Sequence, residues 1–105
     1  MVERITMDKG NFLGYGDLED LELVGRAFGY DIYIEKEERT YMTVWVYDRN
    51  VTKRVRDIWG YMETRYRIAA KVELSKDRGA WHVDLAIVDS RYKGNNLAVK
   101  IYKFL

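Results

Sequence analysis

Residues 49–67 read RNVTKRVRDIWGYMETRYR, and their periodicity decides what kind of fold the chain adopts. Val51, Val55, Ile58, Trp59 and Met62 recur at steps of three and four, the spacing of one helical face. Lys53, Arg54, Arg56 and Asp57 fall outside that stripe, and Asp48 or Asn50 can cap its start. The spacing predicts an amphipathic helix. Its basic cluster reads as an ordinary solvated face rather than a nucleic-acid footprint, because three charges are too few for one.

The same spacing recurs upstream in residues 16–30, GDLEDLELVGRAFGY. Asp17 is a suitable N-cap, Leu18, Leu21, Val24 and Phe28 mark one face, and Gly29 is placed to end the helix. Between the two helices lies a hairpin. Ile32 and Ile34 alternate with Tyr33 and Glu35, and residues 40–47 form a β-branched and aromatic strand. A second hairpin follows residue 67, with strands at 68–75 and 81–88 around a turn at 76–79. In its last strand His82, Asp84, Ala86 and Val88 share one face, and Val83, Leu85 and Ile87 the other, which reads as core. Residues 4–7 suit a brief edge strand, and a last helix is expected from Gly94, with Leu97, Ala98, Ile101 and Leu105 in step. The expected class is α+β, one domain over 1–105, a mostly antiparallel sheet flanked by helices.

A chain of 105 residues, 48% hydrophobic and 33% charged, can build one modest core. With 18 basic and 17 acidic residues the net charge is +1, which argues against a phosphate-neutralising nucleic-acid binder. Cysteine is absent and His82 is the single histidine, so disulfides and thiolate metal sites are excluded. No apolar run approaches the ~20 residues of a membrane helix. A cytoplasmic protein with no membrane partner is expected.

The stretch AIVDSRYKGNNLAVKIYKFL, residues 86–105, carries the most specific chemistry. A strand ending at Val88, a turn through Gly94 and a following helix leave backbone N–H groups aimed at an anion. Gly94 permits close approach, and Arg91 and Lys93 add positive charge. This arrangement resembles motif A of the GNAT N-acetyltransferase superfamily, in which an Arg/Gln-x-x-Gly-x-Gly/Ala turn binds the pyrophosphate of acetyl-CoA. Arg91 and Gly94 match, and Asn96 stands where the family has a small residue.

The resemblance implies a GNAT-like fold and acetyl transfer from acetyl-CoA to an amine-bearing small molecule or protein. Ile87 and Val88 would then bond the pantetheine arm, and Arg91, Lys93, Gly94, Asn95, Asn96 and Leu97 would hold the pyrophosphate. Asp84 is the candidate base, with Glu73 in reserve and His82 third. The family continues past this helix with further strands, so the resemblance implies a truncated member, one completed by a second copy, or a relic that binds without catalysing. The alternative is a non-catalytic interaction or regulatory protein, dimeric, that uses the aromatic strand surface of Tyr41, Thr43, Trp45 and Tyr47.

Overall fold

The computed structural model describes residues 5–6 and 12–95. It contains seven strands: β1 (Ile5–Thr6), β2 (Tyr15–Gly16), β3 (Glu22–Ala27), β4 (Tyr30–Glu38), β5 (Tyr41–Arg56), β6 (Met62–Asp77) and β7 (Ala80–Val88). A 3-10 helix (Ser90–Asn95) follows, and no α-helix occurs among the described residues. The strands form one sheet in the order β1-β7-β6-β5-β4-β3, with β2 added against β6. From β3 to β7 it is an antiparallel meander, and β1 lies parallel to β7.

The α+β expectation is therefore overturned: the described chain is an almost wholly antiparallel sheet without flanking helices. Residues 49–67 form the end of β5, a turn and the start of β6. Val51, Thr52, Val55 and Thr64 lose rotamer freedom in a helix and suit a pleated strand. Gly60, at φ +88°, interrupts any helix in the middle. Of the supposed apolar stripe, Val51 and Val55 are only half-buried, while Ile58, Trp59 and Met62 are exposed. The spacing of three and four was met by a hairpin crossing its own turn.

Residues 16–30 are extended as well, with a turn at 19–20 leading to β3. Gly29 ends no helix; with Phe28 it forms a two-residue hairpin turn, both at positive φ (58° and 85°). Arg78 and Gly79 (52° and 82°) do the same between β6 and β7, inside the turn expected there. Of the last expected helix, Gly94 and Asn95 belong to the 3-10 helix, and residues 96–105 lie outside the described residues. The expected edge strand is present at Ile5–Thr6; Arg4 and Met7 also lie outside the described residues.

Both faces of the sheet pack. One buries Ile32, Val44, Val46, Val72, Ala86 and Val88, joined by Tyr92 from the 3-10 helix. On the other, Tyr33, Tyr47 and Ile68 are covered by Leu13, Leu18 and Leu21 of the segment that carries β2. Gly16 makes this covering possible. A Cβ there would lie 2.6 Å from the Tyr47 hydroxyl, which donates to the carbonyl of Asp17 at 3.1 Å.

The parity expected for β7 is corrected. Glu73 pairs with Leu85, but Leu74 pairs with Val83, so Asp84 is an extra, bulged residue. The bulge shifts the alternation by one: Val83 before it and Ala86 and Val88 after it face the same core. Leu85 and Ile87 are only half-buried.

Candidate functional site

The expected phosphate turn is built around Asp89, whose carboxylate is completely enclosed. It accepts the amides of Leu13 (2.9 Å) and Arg91 (3.0 Å) and a two-pronged bond from the Arg91 guanidinium (2.9 and 3.0 Å). Burial alone would raise its pKa; the Arg91 side chain and the two amides outweigh that and hold it below the ordinary 3.8. Asp89 thus caps the 3-10 helix, and its own carbonyl takes the amide of Tyr92 at 2.9 Å. Arg91, expected to grip a phosphate, has its fork on this carboxylate and its guanidinium carbon 5.1 Å above the Phe12 ring. Tyr92 is buried, donates to Asp48 at 2.7 Å and meets the Tyr30 ring edge-on.

The other expected site residues are spread over β6, β7 and the 3-10 helix. Ile87 and Val88 pair with Lys71 and Ala70 of β6, and Ile87 is flanked on its other side by Thr6. Lys93, Gly94 and Asn95 close the 3-10 helix, whereas Asn96 and Leu97 lie outside the described residues. Asp84 is exposed on its bulge and accepts a hydrogen bond from Ser75 at 2.9 Å. Glu73 is held 3.0 Å from Lys71, whose bond is the main reason its pKa is lowered. His82 is exposed opposite Ser75. Asp84 and Glu73 therefore bond to different partners. Among the described residues no group of three or more metal-ligating side chains comes together.

The aromatic strand surface of the interaction alternative is also not free. Thr43 and Tyr47 are buried, Tyr41 and Trp45 half-buried, and the Trp45 indole donates to Glu35 at 3.0 Å. Trp45 and Tyr47 instead line a shallow cleft of 270 Å³ beside Asp17, Glu19 and Leu21.

What stands free is the far end of the β5–β6 hairpin. Asp48 pairs with Arg67 but Thr52 with Tyr66, so residues 49–51 are extra and the ladder is interrupted there. Beyond the break an arm of five cross-strand pairs runs from Thr52–Tyr66 to Arg56–Met62. Its root is braced. Arg49 bonds Asp31 (3.2 Å) and the Tyr33 hydroxyl (3.0 Å) and stacks 4.3 Å over Tyr66. Arg67 bonds the Tyr15 hydroxyl at 2.9 Å.

At the tip, Ile58 is 87%, Trp59 76%, Tyr61 72% and Met62 47% exposed. The turn beneath them is closed on itself. Asp57 N–H donates to the Tyr61 carbonyl (2.8 Å), Gly60 N–H to the Asp57 carbonyl (3.1 Å), and the Asp57 carboxylate accepts Trp59 and Tyr61 amides (both 2.9 Å). Arg56 reaches the Gly60 carbonyl at 2.9 Å. Behind the tip, Lys53 is paired with Arg65, and Arg54 and Arg56 share the opposite face of the ribbon. Residues 49–67 hold six basic and two acidic side chains, a net +4 in a chain of +1, so the remainder carries −3.

The helical reading hid this tip. Its signal was nonetheless present: Asp57 followed three residues later by Gly60, between a run with β-branched Val51, Thr52 and Val55 and one with Tyr61, Thr64 and Tyr66, is a hairpin-turn pattern. Compared with known proteins, the chain matches no family model, no curated protein and no solved structure.

Proposed function

We propose that this chain acts by binding rather than by catalysis, and that the arm at residues 49–67 is its contact element. One observation carries the reading: four large apolar side chains within five residues are presented to solvent at the end of a braced ribbon. Scattered exposed hydrophobic residues are normal, but a clustered set at a projecting tip marks an interaction site. The interaction alternative is thereby kept and its surface relocated, from residues 41–47 to residues 58–62. The test places a photoreactive residue at position 59 of the full chain in cells, with one at Arg39, in the exposed β4–β5 turn, as control. Strong, defined adducts at 59 and few at 39 are expected; equally sparse adducts at both would refute the reading.

A second reading, acetyl-CoA-dependent transfer to an amine, is favoured by one observation: β7 runs into a 3-10 helix at Ser90–Asn95, giving a strand-to-helix turn where the resemblance needs one. In it Ile87 and Val88 would meet pantetheine, the amides from Lys93 onward the pyrophosphate, and Asp84 would be the base. Calorimetric titration with acetyl-CoA, beside Gly94→Glu, tests it. Micromolar binding abolished by the variant is the expected result; no heat from folded protein at millimolar ligand discards it. A homodimer suits either reading and is read out by sedimentation.

A further inference from the structure

We infer that the arm's partner is an anionic lipid surface, into whose headgroup layer the tip inserts; this rests on the arm being the contact element. Three observations converge. The first is composition. Residues 58–62 contain no charge, and Trp59 and Tyr61 are the residue types that settle at a membrane–water interface, beside an aliphatic Ile58 and Met62. The second is backbone accounting. A turn entering an apolar layer must satisfy its polar groups internally. Here four of the five amides of residues 57–61 (Asp57, Trp59, Gly60 and Tyr61) and three of the five carbonyls (Asp57, Gly60 and Tyr61) are bonded within the turn or to Arg56. The nearest acid, Asp57, is half-buried with its carboxylate held by two of those amides.

The third is the position of the charge. Arg56 and Arg54 stand two and four residues behind Ile58, roughly 7 and 14 Å along a strand. A headgroup layer is about 5–8 Å deep on each side of the hydrocarbon. With Ile58 at the hydrocarbon boundary, the cations therefore lie among and just above the phosphates, while the acidic excess of the sequence lies outside residues 49–67. A base-stacking or groove-reading ribbon has no need of a turn bonded so far within itself, and it uses one apolar wedge rather than a cap of four. This contact needs no span, and no helix among the described residues is long and apolar enough to make one.

Flotation of the full chain is the test, with vesicles of phosphatidylcholine alone and of phosphatidylcholine mixed with phosphatidylglycerol, and duplex DNA titrated in parallel. The chain is expected to float with the anionic vesicles, far less with the neutral ones, and less as salt is raised. The double variant Ile58→Ser/Trp59→Ser, checked for unchanged circular dichroism, should not float. Arg54→Gln should weaken partition about fivefold, equivalent to about 1 kcal/mol per cation. No flotation of folded protein, flotation retained by the tip variant, or tighter binding to DNA than to vesicles overturns the inference. Defined protein adducts at position 59 without flotation overturn the lipid assignment alone and leave the arm as contact element; sparse adducts and no flotation remove both.

Discussion

Asp89 is a charge enclosed by protein, kept ionised by Arg91 and two amides. Removing it in Asp89→Ala strips the cap from the 3-10 helix and leaves two amides unpaired, a loss of about 2–4 kcal/mol in urea unfolding. Because its folded pKa lies below the ordinary 3.8, its contribution is complete above that value and is lost as pH falls through the depressed one. The thermal midpoint should thus drop more steeply in acid for wild type than for Asp89→Ala. Tyr47 and Tyr92 give the alkaline counterpart. Burial, with Asp17 near Tyr47 and the bond to Asp48 at Tyr92, raises both from 10.0 to about 12. Their contribution is full below about pH 10 and disappears as pH rises through 12. A phenolate absorbance titration of the nine tyrosines should show late-titrating groups that Tyr47→Phe and Tyr92→Phe each reduce by one. Gly16 and Tyr47 form a steric pair: Gly16→Ala should cost about 1–3 kcal/mol, and less in a Tyr47→Phe background. None of these partnerships was legible in the sequence. Arg91 was read for an external phosphate, whereas its guanidinium is taken by Asp89, which also accepts the amide of distant Leu13.

At the scale of elements, local chemistry identified the strands of both hairpins and missed how far β5 and β6 extend. Residues 40–47 and 68–75 advertise themselves by alternation and β-branching. The Lys76–Gly79 turn does so by its glycine. Residues 49–67 mislead because a two-stranded arm with an apolar tip and half-buried valines happens to space apolar residues like a helix. Their β-branched content and central Gly60 argued the other way. The same competition decided residues 16–30, where Gly29 supplies a positive φ that either a helix end or a hairpin turn can use. The parity of β7 failed for a different reason: a bulge at Asp84 leaves no mark in composition. Two predictions belong here. Gly60→Ala, at φ +88°, should destabilise by about 1 kcal/mol in urea unfolding. Ile58→Ser and Trp59→Ser should each change stability by less than about 0.5 kcal/mol, because they are exposed, so any loss of binding reports on contact rather than folding.

For the whole molecule, the near-neutral total concealed a separation of charge. A balanced +1 argues against a nucleic-acid binder only if the charges are mixed, and here residues 49–67 carry +4 while the rest of the sequence sums to −3. The radius of gyration, 14.3 Å, exceeds the roughly 13 Å of a compact chain of this length. Extents of 46 × 33 × 23 Å agree with a body that carries an extension. Everything proposed for the arm requires that residues 58–62 stand in solvent as a free apolar tip. A single-tryptophan chain, Trp45→Phe/Trp81→Phe, tests it through the emission and acrylamide quenching of Trp59. Red-shifted emission with near-maximal quenching in the isolated protein is predicted. Blue-shifted, quench-resistant emission from the folded monomer would show the tip packed against the body, with no free contact element at the end of the arm.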